Sequence, residues 1–168
     1  EQVYAGLAGL IFVEDDNSDQ LDLPKDYGVN DFPLIIQDRT FDADNQFDYA
    51  GTYNPDGTYG DTLLINGTIN PYVEVTNELV RLRLVNGSNA RNYTFGLENG
   101  AVFRQIASDG GFLEQPVALT SVTLTPGERA EIIVDLSEYA EGDTVKLMDG
   151  NATVLSLNVT EEADAQTA

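Results

Sequence analysis

Short stretches of alternating apolar and polar residues run through most of this chain. In residues 80–84, VRLRL, three aliphatic side chains fall on one face of an extended strand and Arg81 and Arg83 on the other. Residues 155–159, LSLNV, alternate in the same way. Residues 32–37, 62–65, 72–75, 102–106 and 130–135 are equally short and rich in β-branched, aromatic or other apolar residues, so each predicts a strand. Turn signals stand between them: Asn54-Pro55-Asp56-Gly57, Asn66-Gly67, Asn70-Pro71, Asn86-Gly87, Asp109-Gly110-Gly111 and Thr125-Pro126-Gly127. Asn66-Gly67 and Asn86-Gly87 are expected to supply positive φ in tight turns. A helical pattern is confined to a single turn at residues 136–140, and no internal repeat is visible. Many short strands with regular punctuation predict an all-β sandwich or barrel.

The two ends follow other patterns. Residues 6–13, GLAGLIFV, are continuously apolar, the mark of a strand covered on both faces. Residues 14–31 hold seven acids, one lysine and a proline, and read as a linker over the surface. The last eight residues, EEADAQTA, have no hydrophobic pattern and read as a frayed tail. The expected organisation is a strand within residues 1–16, an acidic linker over 17–31, the sandwich over 32–160 and a tail over 161–168.

Composition narrows the chemistry. With 168 residues, 42% of them apolar, the chain is long enough for one core, and a domain of this size buries about 70% of its unfolded surface. Acids outnumber bases by 29 to 8, a net charge of −21, which argues against a nucleic-acid partner because phosphate would be repelled. No stretch approaches the roughly 20 apolar residues of a membrane span, and the N-terminus has no basic-then-apolar signal pattern. There is no histidine, no cysteine and one methionine, Met148. That removes the side chains of a blue-copper or thiolate centre, of the usual zinc site and of an imidazole base. Serine and threonine have no histidine to activate them, so the usual hydrolase triad is excluded. No catalytic, cofactor-binding or metal-ligating residue is assigned.

Six segments in order resemble the multicopper oxidase family: QVYAGLAGLIFVEDD (2–16), YGVNDFPLIIQDRTF (27–41), GDTLLINGTINPYVEV (60–75), VRLRLVNGSNARNYTF (80–95), IASDGGFLEQPV (106–117) and LTPGERAEIIVD (124–135). Their order is similar to the stretch that leaves the first cupredoxin domain and runs through the second in three-domain enzymes of the cuprous-oxidase and bacterial-laccase type. The resemblance implies a cupredoxin-like Greek-key β-sandwich without a copper site. It also implies that residues 1–16 hold the closing strand of a first domain. Copper would belong to the parent protein, held by its first and third domains, with this second domain as a spacer between flanking cupredoxin domains. The parent would oxidise phenols or cuprous ion in an extracytoplasmic setting. The rival implied by the same resemblance is a copper-less relative serving cell-envelope assembly or division through protein contacts.

Three further patterns are weighed on their own chemistry. Arg81, Arg83, Arg91, Arg104 and Arg129 are five of only eight bases and are expected to pair with carboxylates such as Asp38 or Asp135. Residues 42–48 place oxygen ligands at alternating positions, but without the central glycine and closing glutamate of a calcium loop they read as a solvated hairpin loop. Sequons at Asn66, Asn86, Asn92, Asn151 and Asn158 would carry glycans only on a competent secretory route, and Asn66 and Asn86 are expected in turns for backbone reasons. The apolar run at 6–13, without a sheet to join, is expected to self-associate or to dock on the chain's own sandwich.

Overall fold

Strand β4 (Leu79–Asn86) organises the fold, because its alternation sends Val80, Leu82 and Leu84 inward and Arg81 and Arg83 to the opposite face. The structure is a computed structural model that describes residues 2–49 and 54–161. β1 (Asp31–Arg39) lies parallel to β4, with Asp31 level with Arg81 and Ile36 level with Asn86. β9 (Arg129–Asp135) lies antiparallel on the other side of β4. β2 (Thr62–Ile65), β6 (Phe103–Ser108) and β7 (Gly111–Leu119) complete a six-stranded sheet in the order β2-β1-β4-β9-β6-β7. The second sheet has five strands: β3 (Tyr72–Val75), β5 (Tyr93–Leu97), β8 (Ser121–Leu124), β10 (Thr144–Asp149) and β11 (Ala152–Val159), in the order β3-β11-β10-β5-β8.

The two sheets pack face to face, as the alternation predicts. Phe32, Leu34, Ile36, Leu82, Ile132 and Val134 from the first meet Phe95, Leu147, Leu155 and Leu157 from the second in one buried cluster. Each such side chain contributes about 1.5–3 kcal/mol on burial. The outer face of the five-stranded sheet is polar, with Thr94 bonded to Thr123, Thr144 to Asn158 and Lys146 to Glu98.

Edges are short or interrupted. β2, β3 and β8 have four residues each. β7 is longer, but its register against β6 jumps: Val117 faces Gln105, and Phe112 faces Ala107. Residues 113–116 therefore bulge away from the ladder, carrying Glu114 and Pro116, two devices that discourage edge-to-edge pairing. Strands β5, β7, β8 and β10 lie outside the stretches singled out by alternation; β5 is interrupted by Gly96, and β7 is exposed on both faces.

Residues 6–13 differ from expectation. They belong to no strand and pair with none of the strands among the described residues. Instead, residues 2–6 make a turn, closed by the Gly6 N–H on the Val3 carbonyl at 3.0 Å. The chain then runs over the outer face of the six-stranded sheet. The linker also differs: it contains a short helix α1 (Asp16–Gln20), started by a capping box between Asp15 and Ser18, and its last residue, Asp31, opens β1. Leu23 packs on Ile106, Ala107 and Ile133, a second small apolar cluster on that outer face. The turn expected at 136–140 is present as a hydrogen bond from the Tyr139 N–H to the Leu136 carbonyl, 3.0 Å. Residues 162–168 of the expected tail lie outside the described residues. No helix among the described residues is long and apolar enough to cross a membrane.

Candidate functional site

Four charged residues at the middle of the six-stranded sheet are largely shielded from water. Under the N-terminal segment, Arg81, Arg83, Asp31 and Glu131 form a box that balances two positive and two negative charges. Arg83 Nε donates to Asp31 at 2.8 Å and 3.1 Å, and its Nη2 also reaches Asp31. Arg81 Nε donates to Glu131 at 2.8 Å, and the diagonal contacts Arg81–Asp31 and Arg83–Glu131 are 4.0 and 3.8 Å. Asp31 is 2% exposed. Aromatic rings close the box: Phe12 of the N-terminal segment lies 4.5 Å from the Arg83 guanidinium, and Phe112 of β7 lies 5.6 Å from that of Arg81. Burial opposes the charge on Arg83, but its hydrogen bond to Asp31 and the attraction of Asp31, Glu131 and Glu14 outweigh that and hold it above the usual range.

A second polar cluster sits where the N-terminus meets the sandwich. Asp38 Oδ2 accepts from the Gly60 N–H and from Arg91 Nε, both at 2.8 Å, while its buried Oδ1 has no hydrogen-bond partner among the described residues. Only glycine permits this approach, since a Cβ on residue 60 would meet the backbone nitrogen of Arg39 at 2.2 Å. Arg39 is fully buried, donating to the Val3 carbonyl at 2.9 Å and lying 5.0 Å from the ring of Tyr4. Burial draws Arg39 below its usual range, opposed by Asp38. The Tyr4 hydroxyl in turn accepts from the Thr40 N–H at 2.9 Å.

Tyr93 extends this cluster inward, sharing a 2.7 Å hydrogen bond with Ser88. Burial pushes its hydroxyl far above the ordinary value of 10.0. Tyr93 should therefore stay protonated while exposed tyrosines ionise in an alkaline absorbance titration. The raised folded-state value makes its contribution to stability complete below about pH 10 and progressively lost above it. An early, exposed-type ionisation of Tyr93, compared with a Tyr93→Phe variant, would contradict this burial.

Asn86 is the residue whose role differs most from expectation. It ends β4 rather than forming a positive-φ turn with Gly87. Its Nδ2 donates to the carbonyls of Arg91 (2.7 Å) and Leu124 (2.9 Å), and its Oδ1 accepts from the Ser88 N–H (3.0 Å). One fully buried amide thus ties the end of β4 to the following loop and to β8 of the other sheet, and it leaves no nitrogen free for a glycan. Asn66-Gly67 does form the expected turn, with φ of 49° and 79°; its side chain is also occupied, donating to the Pro33 carbonyl at 2.8 Å.

The expected arginine pairing holds with different partners in part. Arg91 takes Asp38 as anticipated, Arg81 and Arg83 take Glu131 and Asp31, and Arg129 takes Asp109 at the surface. Asp135 instead accepts from Ser137, which lowers its pKa first, with Arg104 a lesser influence. In the 42–48 loop the Asp42 carboxylate accepts from the N–H groups of Asp44 and Gln46, so it serves the hairpin. Among the described residues no group of three or more His, Cys, Asp or Glu is arranged to hold a metal ion.

The multicopper oxidase family model matches residues 30–145. The chain is 46% identical over 155 residues to a protein named multicopper oxidase mco from Staphylococcus haemolyticus, covering 92% of this chain and 34% of that protein. It is 51% identical over 139 residues to the cell division protein FtsP of Proteus mirabilis, covering 83% and 29%. Its fold superposes on the McoA multicopper oxidase of Aquifex aeolicus with a TM-score of 0.87 at 39% identity, covering 99% of this chain and 40% of that one. The laccase of Pediococcus acidilactici gives 0.84 at 40% identity, covering 91% and 33%. The chain thus spans about a third of the length of these curated relatives.

Proposed function

This chain belongs to the multicopper oxidase family, and from that premise we propose that it is the non-catalytic middle domain of an extracytoplasmic oxidase, a spacer that orients flanking cupredoxin domains. The parent would hold copper in those flanking domains and oxidise phenols or cuprous ion while reducing oxygen. The observation that carries the reading is the donor set. The residues present do not fit a copper centre: imidazole and thiolate are absent from the chain. The one thioether, Met148, accepts a long contact from Thr153 Oγ1 at 3.7 Å within the β10–β11 hairpin. No redox step is therefore routed through this domain.

A second reading has its own support, since relatives named cell division protein FtsP are as similar as those named oxidases. On that reading the domain belongs to a scaffold acting through protein contacts. The sequence on either side separates the two: His-x-His and His-Cys-His motifs in the flanking domains belong to the oxidase.

The expected outcome of titrating this chain with copper, followed by visible absorption and metal analysis after gel filtration, is no blue band and no stoichiometric uptake. A tightly held equivalent of copper would overturn the spacer assignment.

A further inference from the structure

Asn-Gly pairs stand at residues 66–67, 86–87 and 99–100. We infer that the last is a modification site: Asn99, in the turn between β5 and β6, is where this domain deamidates, and the Tyr139 hydroxyl is the latch that sets the rate.

The chemistry needs no enzyme. The Gly100 nitrogen gives its proton to hydroxide and attacks Asn99 Cγ, forming a new C–N bond. The Cγ–Nδ2 bond then breaks, and the nitrogen leaves as ammonia with a proton taken from water, which restores the hydroxide. Water opens the resulting succinimide at one of the two bonds from the Gly100 nitrogen to the ring carbonyls. Breaking the bond to Cγ leaves aspartate; breaking the bond to the main-chain carbon leaves isoaspartate. One water is consumed, one ammonia is released, and nothing is oxidised or reduced. A glycine in the second position favours the attack because no Cβ crowds the nucleophile. What the fold controls is whether Cγ can reach that nitrogen.

The other two pairs are held off by strands far away in the chain. The Asn66 amide is committed to β1: its Oδ1 accepts from the Ile35 N–H and its Nδ2 donates to the Pro33 carbonyl, both at 2.8 Å. The Asn66 N–H also donates to the Ile35 carbonyl at 3.0 Å. Asn86 is fully buried with its three bonds made, and the nucleophile beside it, the Gly87 N–H, donates to the Ile36 carbonyl at 2.8 Å. Turning either amide onto its glycine means parting it from β1 or from β8.

Asn99 is held by less. Its Oδ1 accepts from the Ala101 N–H at 2.9 Å, so the amide already lies folded over its own turn. That same N–H remains in place to stabilise the oxygen as it becomes negative in the tetrahedral intermediate. Among the described residues two restraints remain: Nδ2 donates to the Tyr139 hydroxyl at 2.7 Å, and the Gly100 N–H donates to the Leu97 carbonyl at 2.8 Å. Both residues of the pair are exposed, so water and hydroxide reach them. Tyr139 is a fixed point, since its ring packs on the main core cluster and its N–H bonds to the Leu136 carbonyl. Opening this turn is a local event that leaves the strands paired. The product has a consequence at the surface: it sets a second carboxylate beside Glu98, which Lys146 contacts at 3.2 Å, and isoaspartate lengthens the main chain where β5 turns into β6.

The test is peptide mapping by mass spectrometry, with isoaspartate detection, on the folded chain incubated at mildly alkaline pH. Aspartate and isoaspartate should appear at residue 99 at a rate roughly tenfold or more above those at residues 66 and 86, because only the turn opens locally. In urea the three rates should converge. Tyr139→Phe keeps the ring and removes the latch. It should raise the rate at Asn99 about threefold, the factor that goes with one neutral hydrogen bond, and leave the other two unchanged. Equal rates at the three sites of the folded chain, or reaction first at Asn66 or Asn86, would overturn the site. A rate at Asn99 that is unchanged or lower in the Tyr139→Phe variant would overturn the latch. So would a rise at all three sites together, which would mean that the substitution had loosened the whole fold.

Discussion

Replacing Arg83 by glutamate lowers the stability of this domain by about 4 kcal/mol, the usual cost of leaving a buried charge without its partner. For a chain of this length that is a fall in melting temperature of roughly 8–16 °C. The size follows from the surroundings. Asp31 is nearly inaccessible to water and loses its two-pronged donor, while the new carboxylate would face Asp31 and Glu131 across a few ångströms. Phe12 also loses the cation beneath its ring, which frees the N-terminal segment. Added salt should recover little, since the box is shielded from solvent ions. The exposed Arg129–Asp109 pair is the control: its removal should cost no more than about 1 kcal/mol. Thermal unfolding by circular dichroism decides the matter, and an unchanged melting curve for the Arg83→Glu variant would mean that the box is hydrated and the pairing idle.

Asn86→Ala is expected to cost a similar amount, about 4 kcal/mol, although it removes no charge and little volume. Three backbone groups, the Ser88 N–H and the carbonyls of Arg91 and Leu124, lose the amide that meets them, and a buried group left unmet costs about 1–3 kcal/mol. Asn86→Asp should fare no better. The carboxylate keeps the bond from Ser88 but has no N–H to offer the two carbonyls, and it places a negative charge against them in a buried site. Urea unfolding of both variants measures this. A loss under about 1 kcal/mol for Asn86→Ala would show that water can enter and replace the amide.

Both effects bear on what was legible in the residues alone. Alternation at 80–84 and 155–159 located β4 and β11, because a half-covered strand must write its two faces into the chain. Asn66-Gly67 announced its turn because few other residues adopt positive φ. The pairing of the arginines followed from their scarcity in an acidic chain. Their partners did not: Asp31 stands 52 residues from Arg83 and reaches it only because β1 lies parallel to β4 in one register. Asn86 misled for a different reason. An asparagine before a glycine at a strand end looks like a turn, and nothing local reveals that two carbonyls from other segments converge on it.

The N-terminal run shows the same division. Its apolar composition reads as a strand covered on both faces, since about 25 cal/mol per Å² favours hiding such surface, yet Leu7, Ile11 and Val13 remain largely exposed in this domain. Composition alone does not say whether it pairs as a strand or lies as a strap, and among the described residues of this domain it joins neither sheet.

The amino-acid sequence by itself determined that the chain folds from many short strands, as a sandwich or a barrel, and that it has neither imidazole nor thiolate to offer a metal, because side-chain periodicity and donor chemistry are properties of the residues wherever they lie. Only the tertiary structure decided that the outer face of β4, β6 and β9 is partly covered by the first thirty residues, through Phe12, Leu23 and Pro24. Only there do Arg81 and Arg83 face buried acids, and only there does one asparagine join the two sheets. Those outcomes depend on register between strands far apart in the chain, and register is a joint solution of all the burial and hydrogen-bonding demands at once, which no single stretch contains.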